Sequence, residues 1–440
     1  MKQPLRGLAT RIAAWAVSSA VAASAAVASG QAIDVERPHT LVVGSPAQGS
    51  RVDRVDGART GRARTTLPTS GLRVEWETSV GALTDQAPLV DSRGDVYVIG
   101  TRGEVVMLGR DGAEMWRVVT GGTQPGPAAL LSNDTVVFVE IVAGGGSAVG
   151  VRDGRVTWRT HVGHADAAPG APLALDDGGV VVTTAGELAV LDADGHERSR
   201  ATLTESVATP LLSALGHVVA VTASGAVWMW TPGTDPTRAA SFGSPVDGSA
   251  ALADDHTLLA VTNGRTHLTA VDLTLGTVTT RAVSHGASWC GPPAMNGPVS
   301  SFVVVAPGSE LAVALDATGH EVSRAVLASH SLPVGADAGA PALFTGAVTP
   351  PLVDSSGTLV FATADGRLGV VPRLTTGDGT VELLTSPCPL QLATSGARGA
   401  DPVAGIAPLS DAGFVATCRS GTLLAVGGAR WSGESSPQHL

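Results

Sequence analysis

Three segments of the chain share one frame: LGRDGAEMWR at 108–117, LDADGHERSR at 191–200 and LDATGHEVSR at 315–324. Each has a glycine, a glutamate two residues later and an arginine three further on: Gly112/Glu114/Arg117, Gly195/Glu197/Arg200 and Gly319/Glu321/Arg324. The glycines are 83 and 124 residues apart, close to two and three copies of a unit of about 41 residues. A repeat unit of this size cannot bury its apolar face alone and must stack on its neighbours. This constrains the fold more than any single motif does.

The same beat runs along the chain. A turn with proline or a small residue precedes a short apolar strand, as in APLV (87–90), APLA (171–174), TPLL (209–212), PPLV (350–353) and APLS (407–410). A β-branched strand follows, such as VYVIG (96–100), VVVTT (180–184) or FVATC (414–418), then a turn and a third strand such as GEVVMLG (103–109) or GTLLAVG (421–427). A fourth strand carries Trp76, Trp116 and Trp158, spaced 40 and 42 residues apart, with Ser199 and Ser323 at that place in later units. Eight such units without sustained helical periodicity predict an all-β, eight-bladed β-propeller of four-stranded antiparallel blades, with seven blades as the alternative count. Trp76 precedes the first complete unit, so its segment is expected to close the ring as the outer strand of the last blade; Trp431 is a rival for that role. Stretches at 328–347 and 373–403 break the rhythm and read as rim loops or extra strands.

Composition agrees with this reading. Fifty-five glycines and only 15% charged residues suit short strands joined by tight turns. Lys2 is the only lysine, which leaves none for a Schiff base or a P-loop once the N-terminus is removed. That N-terminus has a basic start (Lys2, Arg6, Arg11), an apolar run from Ile12 to about Ala28 and small residues offering cleavage sites, the pattern of a secretory signal peptide. The expected location is therefore periplasmic or secreted, with an N-terminal membrane anchor less favoured. No cysteine precedes Cys290, which disfavours a lipid anchor, and no later stretch is long and apolar enough to span a bilayer. The expected organisation is a signal peptide at 1–30, a flexible arginine-rich lead-in at 31–72, the propeller at 73–431 and a tail at 432–440.

Removing residues 1–30 takes away three basic and no acidic groups, so the net charge falls from −11 to −14. This argues against nucleic acid as a partner. Residues 51–64, RVDRVDGARTGRAR, hold five arginines against Asp53 and Asp56. They read as a solvated linker, or more sharply as a surface for an anionic partner. Of the three cysteines, Cys388 and Cys418 are closest in sequence and are the first choice for a disulfide in an exported chain.

Three clusters resemble chemistry. Asp192, Asp194, His196 and Glu197 could suggest a metal site, but the equivalent turn at 316–319 has Thr318 in place of Asp194, and the turn at 109–112 has no histidine. They read as Asp–Gly hairpin turns. His161, His164 and Asp166 read as rim residues, because i and i+3 point to opposite faces of a strand. His285, Trp289 and Cys290 read as packing residues or disulfide material. No G-x-S-x-G, H-E-x-x-H or Walker motif occurs. No catalytic, cofactor-binding or metal-ligating residue is assigned.

The unit P-L-V-D-x-x-G-x-V-Y-V followed by G-x-V-x-x-L-x-x-D-G-x-x-x-W, best seen from Pro88 to Trp116, resembles the pyrroloquinoline-quinone-like β-propeller repeat. The resemblance covers roughly residues 74–427. That superfamily includes quinone-dependent alcohol dehydrogenases and a non-enzymatic periplasmic subunit of the outer-membrane β-barrel assembly machinery. The stretch DGARTGRA is similar to the arginine-threonine-glycine lead-in of many exported propellers of this family. The enzymatic branch implies a quinone with three carboxylates beside Ca²⁺, and a vicinal cysteine pair that this chain lacks. The expectation is a monomeric, non-catalytic binding or assembly scaffold for an envelope protein or polymer, without cofactor. The alternative is a divergent quinoprotein oxidoreductase, with pyrroloquinoline quinone and Ca²⁺, or a propeller hydrolase or lyase.

Overall fold

In the computed structural model the described residues are 55–429, except 57–58, 124, 165–168, 249, 284–286, 307–308, 330–348, 364–365, 375–379, 385–387, 389–390, 393–397, 400 and 412. They form eight four-stranded antiparallel sheets and one two-stranded hairpin. Blades 1 to 8 have as inner strands Leu89–Val90, Ala129–Leu130, Leu173–Ala174, Leu212–Ala214, Ala251–Leu252, Ser288–Asn296, Leu352–Val353 and Val403–Pro408. In blades 1 to 7 the chain proceeds strand by strand outward. The chain is an eight-bladed β-propeller.

What closes the ring is the apolar alternation of the strands. Val136 and Phe138 pack toward blade 1 with Leu89 and Tyr97, while Val137 and Val139 pack toward blade 3 with Val180 and Val182. A strand buried on both faces needs no polar side, which is why VVFV and VVVTT read as unbroken β-branched runs. Eight such clusters join consecutive blades, and the last unites Val415 and Leu423 of blade 8 with Val90 and Val106 of blade 1.

Blade 8 is completed by the N-terminal strand Ser70–Ser79, which pairs antiparallel with Thr422–Ala429; Trp76 lies opposite Ala425. This is the closure expected for Trp76, and it leaves no unpaired seam between the two ends of the propeller. Trp431 lies outside the described residues. The inner strand of blade 8 runs over Val403–Pro408 and ends inside the APLS segment at 407–410, because Leu409 already starts the next turn by donating to the Gly413 carbonyl at 2.9 Å. The Gln391–Leu392/Arg398–Gly399 hairpin falls in the stretch at 373–403 expected to leave the rhythm.

The shared frame has a local explanation. Leu108 pairs with Glu114 but Met107 pairs with Trp116, so one residue bulges out of the outer strand. A bulge brings residues i and i+3 to the same face. Arg117 therefore reaches Glu114 at 2.6 Å, and the same device joins Arg200 to Glu197 at 2.5 Å and Arg324 to Glu321 at 2.6 Å. Cys388 and Cys418 are disulfide-bonded, with Cα atoms 5.8 Å apart.

The lead-in departs from the expectation of a flexible linker. Val55, Ala63 and Leu67 are buried in the cluster between blades 7 and 8. Ala63 donates its N–H to the Val353 carbonyl at 2.7 Å, and Val353 donates to the Gly61 carbonyl at 3.0 Å, so the segment pairs in parallel with the inner edge of blade 7. Inner strands present unpaired backbone groups to the channel, and an added strand satisfies them.

Candidate functional site at the channel mouth

The lead-in turns where Asp56 accepts bonds from the Thr60 N–H at 2.9 Å and the Thr60 hydroxyl at 2.5 Å, while Arg59 donates its own N–H to the Asp56 carbonyl at 3.0 Å. This turn holds Arg59 at φ +55° and aims it into the ring. Arg59 is fully buried. Its Nε donates to the Leu211 carbonyl at 2.9 Å and its Nη2 to the Pro172 carbonyl at 2.7 Å, in blades 4 and 3. Across the ring, Met295 of blade 6 donates to the Thr60 carbonyl at 2.7 Å. One segment thus bonds to inner strands of blades 3, 4, 6 and 7 and runs across the channel.

The lead-in bonds at Pro172 and Leu211, each just before an inner strand, and at Met295 and Val353 within inner strands, with Leu67 donating to the Asp354 carboxylate at 2.8 Å. Beside these contacts lies the mouth of the channel. There a cavity of about 290 Å³ is lined by residues from blades 1, 2, 4, 5, 6, 7 and 8. Its polar side chains include Asp85, Gln86, Asp247 and Arg265. Asp85 and Asp247 each lie five residues before an inner-strand end, Val90 and Leu252, at equivalent points of blades 1 and 5. An eight-membered ring sets those blades opposite one another. Asp247 accepts the Arg265 backbone N–H at 2.8 Å, and Arg265 sits at φ +67°, a strained conformation of the kind that clusters at functional sites. Gln86 donates from Nε2 to the Pro125 carbonyl at 2.8 Å, and its buried Oε1 has no hydrogen-bond partner among the described residues.

The reactive-looking clusters stand away from this mouth. Asp192 accepts the N–H groups of Asp194 and His196, both at 2.9 Å. Burial alone would raise its pKa, but the backbone donors of His196 and Asp194 outweigh burial and hold the carboxyl below its ordinary value. Asp316 is also held low, first by the Thr318 hydroxyl and then by the His320 N–H. His196 and His320 are 81% and 85% exposed, each on its own turn, and do not converge. His161 lies on the outer strand Arg155–Gly163 and His164 just after it, both exposed; Asp166 and His285 fall outside the described residues. Trp289 is buried edge-on against Phe302, with ring centroids 4.9 Å apart, and Cys290 belongs to the strand Ser288–Asn296. Among the described residues no three His, Cys, Asp or Glu side chains gather as metal ligands.

Sequence reasoning found the proline turns that border the mouth but missed the mouth itself, because Asp85, Gln86, Asp247 and Arg265 lie outside the quoted motifs and meet only when blades 1 and 5 are set in the ring. The signal for Arg59 was present in DGARTGRA, but a buried arginine looks no different from a solvated one until its carbonyl partners, more than a hundred residues away, are known.

These features define the class: a pyrroloquinoline-quinone-like eight-bladed propeller, with its own N-terminal segment in the channel. Residues 48–279 match the family described as outer membrane protein assembly factor BamB, and the chain belongs to that family. No curated protein matches it in sequence. Among solved structures it is similar to BamB from Moraxella catarrhalis (16% identity, TM-score 0.52, covering 84% of this chain and 100% of that one). It is similar to the computationally designed Ika8 protein (16% identity, TM-score 0.56, 82% and 99% covered). It is also similar to the quinohemoprotein alcohol dehydrogenase ADHIIG from Pseudomonas putida HK5 (11% identity, TM-score 0.57, 89% and 82% covered). At these identities the likeness is one of fold.

The mouth does not fit the quinone of the enzymatic branch. Three ligand carboxylates would meet Asp85 and Asp247 against Arg265, the single cationic residue among the described lining residues. Arg59, deeper in the channel, is committed to two carbonyls. A trianion placed there would lose hydration without matching cations.

Proposed function

We propose that this protein is an exported, non-catalytic propeller that binds and positions another envelope protein. The observation that carries this reading is Arg59. The channel in which a quinoprotein would work is crossed by the chain's own segment, leaving a mouth whose polar side chains include Asp85, Gln86, Asp247 and Arg265. Membership of a family named for an outer membrane assembly factor supports an envelope location and a protein partner. Among the described residues no helix is long and apolar enough to cross a membrane. The export reading rests on the signal-peptide pattern at 1–30. On this reading the protein carries no cofactor and acts as a monomer.

The test pairs two measurements on the full-length protein. Affinity capture from its native envelope fraction is expected to recover a stoichiometric envelope protein whose complex re-forms from purified components. Incubation with pyrroloquinoline quinone and Ca²⁺ is expected to give neither a bound-quinone absorbance nor dye-linked alcohol oxidation. Either enzymatic signal overturns the scaffold reading.

A further inference from the structure

We infer that the channel mouth accepts an extended basic segment of a partner protein, with an arginine side chain directed between Asp85 and Asp247. This deepens the scaffold reading and rests on it.

Four observations converge on a ligand rich in donors. Asp85 and Asp247 face the mouth from opposite blades. The buried Oε1 of Gln86 is an acceptor without a donor among the described residues, its orientation fixed by the Nε2 bond to Pro125. Pro127, Pro210, Pro292, Pro350 and Pro351 line the same cavity, and a proline has no N–H, so at these five positions the backbone can only accept. The whole chain carries a net charge of −11, which favours approach by a basic partner.

Arg265 is the one opposing charge among the described lining residues. It disfavours a bare metal ion or a small amine, because such a cation has nothing to offer a guanidinium. A peptide does: its arginine meets the carboxylates while its own carbonyls accept from Arg265. The molecule already uses this mode deeper in the same channel. There Arg59 gives its Nε and Nη2 to inner-strand carbonyls while Gly61 and Ala63 pair with the blade 7 edge.

The experiment titrates the full-length protein with the probe peptide Ac-Gly-Arg-Gly-NH2 at low salt, followed by ligand-observed NMR. The controls are the citrulline peptide, which keeps the shape and loses the charge, and Ac-Gly-Glu-Gly-NH2. The arginine peptide is expected to bind at least about tenfold more tightly than the citrulline peptide, since charge-assisted bonds are about twice as strong as neutral ones. The D85N/D247N variant, which keeps oxygen acceptors and is expected to melt like the wild type, should erase that difference. Equal binding of the arginine and citrulline peptides, tighter binding of the glutamate peptide, or an unchanged preference in D85N/D247N overturns the inference. Capture of the envelope partner by D85N/D247N at wild-type strength would remove the mouth as its site and leave the scaffold reading standing. Loss of capture in both proteins would sink the scaffold reading itself.

Discussion

Trp76 donates its indole N–H to the Arg110 carbonyl at 2.9 Å, and a Cβ on Gly112 would lie 2.7 Å from the Trp76 ring. The outer strand of blade 8 thus docks on the Asp–Gly turn of blade 1. Trp158 repeats the arrangement between blades 2 and 3, donating to Ala193 at 3.1 Å with Gly195 under its ring. Gly112 serves two requirements at once: φ of +80° and room for the indole. Gly112→Ala is expected to destabilise the fold by about 2–4 kcal/mol through strain and overpacking, and Trp76→Ala by about 2 kcal/mol. Urea unfolding of the two variants measures both. The pair should be non-additive, because the two changes break one contact.

Arg59→Ala leaves the Leu211 and Pro172 carbonyls without their guanidinium donor and opens a cavity between blades 3 and 4. A loss of about 3 kcal/mol is expected, with Arg59→Lys recovering only part of it, since an ammonium cannot reproduce the planar fork that serves both carbonyls. Equilibrium denaturation of the three proteins checks the order.

The Cys388–Cys418 bridge closes a loop of 30 residues. Constraint of the unfolded chain by such a loop contributes about 3–4 kcal/mol in the chain-entropy treatment. Cys388→Ser/Cys418→Ser should therefore lower the melting temperature, and reductant should lower that of the wild type but leave the double variant unchanged.

The hairpin aspartates set an acid limit. Asp192 and Asp316 have folded pKa values below their unfolded ones, so the stability they add is present above the unfolded carboxylate pKa of about 3.9 and is lost as pH falls through the folded values. Stability is expected to hold flat in this respect from pH 7 to 5 and to decline below about pH 4. In Asp192→Asn, which keeps one acceptor oxygen, the decline between pH 5 and 3 should be smaller than in the wild type. Denaturant midpoints across that range decide it.

The ring was legible in the sequence because its rules are local and repeated. Asp–Gly turns, β-branched strands and the Trp spacing recur at one period, and the position of Trp76 ahead of the first unit implies closure. What could not be read was anything assembled across blades. The burial of Arg59 depends on Pro172 and Leu211, and the mouth depends on Asp85 meeting Asp247 across a ring that exists only after folding. The APLS segment marks only the end of the blade 8 inner strand, because the Leu409–Gly413 bond already belongs to the turn.

Closure by the N-terminal strand is tested most directly by one cross-link. Ser79 and Thr422 are paired residues of blade 8. In the variant S79C/T422C, a disulfide joining these two positions is expected to form in air, identified by mass spectrometry of the digested protein, with the folded state retained. A folded variant in which both thiols stay free, or in which the strand at 422–429 is instead protected by the segment containing Trp431, would contradict the closed ring described above.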